Sequence, residues 1–172
     1  MPSYGPQTPA HEWHLGPDGN AAARLLAAAL PTGALLVASA EPKAIQTLTP
    51  SGPTLHDPRF NEVTRVEPWE GEYLRLRREY VSGIDHIDWE PRAAVAARFE
   101  AGVREHLDSA QGRPLIIATH GMAMTIWLTS RRLLNDPAEF WSGLRFPDAH
   151  IVDHDHRGTV IRHPASTSDK TS

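Results

Sequence analysis

Two short apolar runs, Ala34–Ser39 and Leu115–Thr119, narrow the folds open to this chain more than any other feature. Their length and aliphatic composition are typical of buried strands, and each leads directly into a stretch with a helical pattern. Strands that alternate with helices predict a mainly parallel sheet covered by helices on both faces. The sequence therefore predicts an α/β fold, a three-layer α/β/α domain.

Helical patterns surround these runs. An alanine- and leucine-rich stretch from about Pro17 to Leu30 begins with proline and is stopped by Pro31. The clearest helix, Pro91 to about Ala110, carries an apolar stripe at four-residue intervals. That stripe consists of Val95, Phe99, Val103 and Leu107. The other expected elements are helices near 41–48, 72–81, 122–134 and 138–144, an extended segment at 54–61, and strands at 150–155 and 158–162.

The composition of the 172 residues limits the classes of protein. We expect one domain over 1–164 and a polar, disordered tail at 165–172. A net charge of −4 argues against nucleic acid as a partner, and the lack of cysteine excludes disulfides and thiolate zinc sites. The most apolar window, 21–40, is broken by Arg24 and Pro31, and no signal peptide is recognisable, so we expect a cytoplasmic protein without a membrane partner.

His120 stands where the second apolar run ends, and Gly121 opens the next helix. Ligands of parallel sheets bind beyond the carboxyl ends of the strands, and Ser39 lies at the end of the first run. A glycine that opens a helix also lets backbone N–H groups approach an anion. His120 and Gly121 therefore predict a phosphate site, although a histidine at a strand end can also be purely structural.

Two more charged residues are expected near the same sheet edge. Lys43 lies in the first turn of the helix after Ser39, where its ammonium could bind phosphate or simply be solvated. Glu62 follows the segment 54–61 and is the first of four carboxylates in eleven residues, of which we expect most to be solvated. A carboxyl beside a phosphate has its pKa raised by like charge, as a general acid for an alcohol leaving group requires. Glu62 is the candidate for that role.

Four segments, in this order, resemble the histidine phosphatase superfamily, which has the phosphoglycerate mutase-like fold. ALLVASAEPKAIQT resembles its Ser-Ser-Pro-x-x-Arg-Ala-x-Gln-Thr segment, and RFNEV its Leu-x-Glu segment. DWEPRAAVAARFEAGV resembles the region leading into its long helix, and LIIATHGMAM its Ser/Thr-His-Gly turn. The resemblance implies hydrolysis of a small phosphorylated molecule without a cofactor, through a phosphohistidine that water cleaves. His120 would then be the second, phosphate-holding histidine, Glu62 the proton donor, and Lys43 a substitute for the second arginine.

The family's nucleophile lies in an Arg-His-Gly/Ala/Ser motif at the end of its first strand, and neither is recognisable here. The resemblance therefore implies that the first central strand is missing from the chain, which would begin just after the nucleophile. Such a chain would be inactive, and unpaired strand edges would leave it marginally stable or rearranged. An alternative is a pseudoenzyme that binds a phosphorylated ligand or a protein partner without turnover.

Two other uses of the histidines stay open. His11 or His14 could replace the missing nucleophile, although most histidines in loops are bystanders. A metal site is the third function considered, but alternation along a strand would scatter its ligands over two faces. Its candidate ligands are His150, Asp153, His154, Asp155 and His156. We expect no metal, and the oligomeric state is not indicated by the sequence.

Overall fold

The computed structural model describes residues 9–67, 71–155 and 158–162, and their side chains as far as Asp153. The tail expected at 165–172 lies outside these residues, as does His156.

The elements follow the predicted order closely. The helices of the described residues are α1 (Pro17–Ala29), α2 (Pro42–Leu48), α3 (Tyr73–Ser82), α4 (Arg92–Ala110), α5 (Gly121–Ser130) and α6 (Pro137–Gly143). The strands are β1 (Leu35–Ala38), β2 (Leu55–His56), β3 (Leu115–Ala118), β4 (Ile151–Asp155) and β5 (Gly158–Arg162).

The extended segment expected at 54–61 is shorter than predicted. Only Leu55 and His56 join the sheet, and a 3-10 turn follows at Pro58–Phe60. Pro58 has no N–H to donate to a strand ladder, and the Asp57 carboxylate accepts the N–H of Arg59 at 2.8 Å. The chain therefore turns sharply before Glu62, which follows a turn and not a strand.

The sheet is parallel in the order β2-β1-β3, as the fold prediction requires. Val37 of β1 lies opposite Leu55, and Ala38 lies opposite Ala118 of β3. β4 and β5 form a separate antiparallel hairpin in which Ile151 pairs with Arg162. Because β1 and β3 are adjacent and in register, the residues that follow them emerge side by side.

Alternate side chains of β1 face two different helical layers. Leu36 and Ala38 pack with Ala44 and Leu48 of α2, while Val37 belongs to a larger cluster on the opposite face. That larger cluster includes Val95 and Phe99 of α4, Ile126 and Leu128 of α5, and Phe60 from the turn. The arrangement confirms the predicted three-layer α/β/α fold.

The buried face of α4 differs from the predicted stripe. Val95 and Phe99 are buried, but Leu107 is 39% exposed, so the prediction was wrong at that position. Gly102 and His106 take its place against the core. Phe60 packs on this face of the helix: its ring meets Phe99 edge-on at 4.9 Å, lies 5.9 Å from the His106 ring, and leaves no room for a side chain at Gly102.

One edge of β3 has no partner strand among the described residues, since β1 pairs with the other edge. A cleft of about 2700 Å³ lies along β3 and is also lined by Ile151–Asp153 of β4. Typical small-molecule pockets have volumes of roughly 300–1,000 Å³. The open edge and the wide cleft are consistent with the predicted absence of a central strand. Within the part of the chain that the structure describes, no helix has the length and apolarity needed to span a membrane.

Candidate active site

Ser39 and His120 meet at the carboxyl ends of β1 and β3. Ser39 Oγ lies 2.7 Å from His120 Nε2, and the Ser39 N–H donates to the carbonyl of Ala118 at 2.8 Å. Both residues are buried, and His120 is the N-cap of α5, with Gly121 as the first helical residue. The paired strand ends thus hold an imidazole beside the positive end of a helix dipole.

Glu62 reaches the same helix terminus from the loop after the 3-10 turn. Its Oε1 accepts the N–H groups of Val63 and Ala123, each at 3.0 Å. Burial raises the pKa of Glu62, but the charges of His120 and Arg65 and the two N–H donors lower it more, so that the net shift is downward. The carboxyl is therefore ionised here, and the rise in its pKa beside a phosphate stays a prediction.

Lys43 extends toward this site from the first turn of α2, but it already has partners. Its Nζ donates to the carbonyl of Ala10 at 3.0 Å and lies 3.2 Å from Glu41 Oε2. The ammonium also lies 5.9 Å from the centre of the Trp13 ring. The ammonium group of Lys43 is thus fixed in position by protein groups and is not freely solvated.

Glu41 contacts all three of these predicted residues, and its position near the start of a helix was the one feature of the sequence analysis that concerned it. Its Oε1 accepts the N–H of Glu62 at 2.8 Å. Its Oε2 lies 3.2 Å from Lys43 Nζ and 3.6 Å from His120 Nε2. The side chain is 6% exposed, and Oε2 accepts no hydrogen bond. Glu41 therefore lies at the centre of the charge cluster.

The protonation of His120 depends on this surrounding charge. Burial lowers the pKa of His120, and Lys43 and Arg65 lower it further, while Glu62 and Glu41 raise it without reversing the shift. The net shift in pKa therefore favours the neutral imidazole over the imidazolium. An added anion would favour the imidazolium by direct charge attraction.

Arg65 is a second residue that sequence reasoning missed. Its side chain is 10% exposed, and its Nη1 donates to the carbonyl of Val63 at 3.1 Å. Its Nε lies 3.1 Å from Glu67, which also pairs with Arg77. Glu67 is therefore paired and largely buried, while the exposed Glu72 fits the expectation that most of these carboxylates are solvated. Glu70, the fourth of that group, lies outside the described residues.

The other histidine hypotheses gain no support from these contacts. His14 Nδ1 lies 2.8 Å from Gln46 Nε2, and His11 lies 3.6 Å from Glu12, while both line the wide cleft. Among the described residues, no group of three or more histidines, aspartates and glutamates is arranged to hold a metal ion. His156 of the proposed metal cluster lies outside those residues.

The chain is thus a parallel α/β/α domain whose carboxyl edge brings an imidazole, an ammonium and two carboxylates together in one cleft. The family can be named more closely. The model of the histidine phosphatase superfamily (branch 1) matches residues 4–166, and the chain belongs to that superfamily.

Solved structures show the same fold. The mycobacterial glucosyl-3-phosphoglycerate phosphatase in complex with VO3 is 20% identical, with a TM-score of 0.65, covering 88% of this chain and 85% of that one. A phosphoserine phosphatase mutant from Entamoeba histolytica, in complex with phosphoserine, is 11% identical, with a TM-score of 0.67 and coverages of 87% and 83%. Bacillus stearothermophilus YhfR is 16% identical, with a TM-score of 0.67 and coverages of 91% and 87%. No curated protein matches the chain in sequence.

Proposed function

We propose that the cleft binds a phosphomonoester at His120, Lys43 and the start of α5, and that the complete site hydrolyses it through a phosphohistidine. One observation supports the phosphate-binding part of this proposal. Lys43 Nζ and His120 Nε2 both lie within 3.6 Å of a single carboxylate oxygen, that of Glu41. An ammonium and an imidazole that lie around one carboxylate oxygen can equally lie around an oxygen of a phosphate, and the charge of that anion favours the imidazolium.

The proposed roles follow from the contacts. His120 binds an equatorial phosphate oxygen and becomes imidazolium as it does so, which stabilises charge in the transition state. Lys43 adds a point charge, in place of the two-pronged contact that an arginine would make. Glu62, held at the helix terminus by Ala123, is the candidate that protonates the leaving oxygen. Glucosyl-3-phosphoglycerate and phosphoserine, named for the similar structures, are reasonable first substrates to try.

The nucleophile is proposed to come from a strand that occupies the wide cleft. β3 offers it an unpaired edge within the described residues, and β4 lines the same cleft. A strand parallel to β3 would end beside His120, so that a histidine at its carboxyl end could attack phosphorus. This chain by itself is then inactive, because its described residues place no second histidine against His120.

The test is to express the protein with the codons that lie in frame upstream of Met1 and to assay p-nitrophenyl phosphate and an alkyl phosphate. We expect turnover only in the extended protein, together with an acid-labile phosphoenzyme. Glu62→Gln should slow the alkyl ester by roughly 10²–10⁴-fold and the nitrophenyl ester much less, because nitrophenolate leaves without a proton. Glu72→Gln, which removes an exposed carboxylate, is the matched control.

A second function is binding of a phosphorylated ligand without turnover. It is favoured by the lack of a second histidine against His120 among the described residues, since the phosphate-holding groups are then present without a nucleophile. An extended protein that binds phosphate but leaves both esters intact would support this pseudoenzyme and contradict hydrolysis.

A further inference from the structure

We propose that Glu41 is a built-in counter-anion of the phosphate site, a positioning residue that occupies Lys43 and His120 until an external oxyanion replaces its carboxylate. The inference rests on the proposed function, since it concerns the same two phosphate-binding groups. Glu41 would set the affinity of the site for phosphate, although it is not among the predicted site residues.

The two oxygens of Glu41 have different environments. Oε1 accepts the backbone N–H of Glu62 at 2.8 Å, which fixes the side chain in place. Oε2 is buried, accepts no hydrogen bond, and points between Lys43 Nζ at 3.2 Å and His120 Nε2 at 3.6 Å. A carboxylate that served only to anchor the loop would need Oε1 alone. Oε2 instead lies where an oxygen of a bound phosphate would contact the same two groups.

The charged groups around the contact between Glu41 and His120 come from three elements. Lys43 lies on α2, His120 caps α5, and Glu62 and Arg65, whose charges act on His120, lie in the loop after the 3-10 turn. Of these, Lys43 and His120 approach Oε2 most closely. An anion entering the site must therefore compete with Glu41 for both groups, because like charges this close together repel strongly in a buried site.

Glu41→Gln tests this directly, because glutamine keeps the size of the side chain and its carbonyl can still accept the N–H of Glu62. The probe is sulfate, which stays a dianion across neutral pH and so adds no titration of its own. Binding is measured by calorimetry at pH 8 on the chain as it is, with Glu12→Gln as the control. Glu12 is an exposed acid beside His11, and its removal takes away one negative charge without touching Lys43 or His120.

We expect Glu41→Gln to bind sulfate at least tenfold more tightly than the wild type, a difference of about 1.4 kcal/mol. Glu12→Gln should bind as the wild type does. Glu41→Ala, which also loses the contact to Glu62, should be less stable and yet bind sulfate more tightly. A carboxylate with only a structural role would not tighten binding in either variant.

The outcomes separate the two proposals. If the wild type binds sulfate and both Glu41 variants bind it equally or more weakly, the counter-anion role is wrong and the phosphate site stands. If neither the wild type nor the variants bind sulfate, the phosphate site itself is wrong, and the role of Glu41 with it.

Discussion

Replacing Asp57 by asparagine should destabilise the loop that carries Glu62, by an amount that the structure allows us to calculate. Asp57 lies at the end of β2 with a side chain that is 7% exposed. It accepts hydrogen bonds from the backbone and guanidinium of Arg59 and, at 2.8 Å, from His106 Nε2. These contacts fix the 3-10 turn from which Asn61 and Glu62 extend.

The magnitude follows from the carboxyl's affinity for protons. Burial alone raises the pKa of Asp57, but the bonds to Arg59 and His106 outweigh it and lower the pKa from 3.8 to about 2. At 1.36 kcal/mol for each pKa unit, that difference of about 1.8 corresponds to about 2.5 kcal/mol of folding free energy. Because the folded-state pKa is the lower one, the contribution is complete above about pH 4 and is lost as the pH falls toward 2.

Urea unfolding followed by tryptophan fluorescence measures the effect. We expect Asp57→Asn to lose about 2–3 kcal/mol at pH 7 and to approach the wild type as the pH falls from 4 toward 2. Glu105→Gln removes the other, exposed partner of Arg59 and should change stability little. A loss at pH 7 no larger than that of Glu105→Gln, or a loss unchanged at pH 3, would refute the calculation.

Three further predictions concern the core, the site and the open sheet edge. Gly102→Ala should lower the free energy of unfolding in urea by about 1–2 kcal/mol, because a Cβ there would lie 2.7 Å from Phe60 and overpacking outweighs the gain in helix propensity. Gly143→Ala is the control, and it should leave the stability unchanged because the space around Gly143 is open. The affinity for sulfate should rise as the pH falls below neutrality, because His120 becomes charged, and His120→Asn should remove that pH dependence. A wild-type affinity that does not change with pH would contradict the role of His120. The protein extended upstream of Met1 should melt at a higher temperature than this chain, and equal midpoints would argue against strand insertion beside β3.

Local sequence patterns predicted most of the helices and strands, because the interactions that form these elements join residues close together in the chain. β1, β3 and α4 form within a few residues of their expected bounds, since aliphatic runs and helical stripes are properties of neighbouring residues. The meeting of Ser39 and His120 also follows from the sequence, once the two strands are taken as parallel and adjacent. The position of a residue at a strand end was thus the most informative signal for the site.

The contacts that the sequence did not reveal join residues far apart in the chain. Glu62 meets the N–H of Ala123, 61 residues away, and His106 meets Asp57, 49 residues away. Leu107 was expected inside, but Gly102 and His106 are the buried residues of that part of α4, and Gly102 lies against Phe60, which is far away in the chain. Such pairs depend on how the layers pack, which no local periodicity encodes.

The balance of charge around Glu41 explains why phosphate binding at Lys43 and His120 requires these two groups to exchange one anionic partner for another. Around Glu41 and Glu62, three cations, Lys43, Arg65 and Arg77, pair with or lie near three carboxylates, Glu41, Glu62 and Glu67, and burial favours the neutral form of His120. A phosphate dianion that enters this neutral set must recruit positive charge or release negative charge. Protonation of His120 supplies one charge, and displacement of Glu41 frees the charge of Lys43. The affinity of the site is therefore set by how firmly Glu41 holds its two partners as much as by the cations themselves.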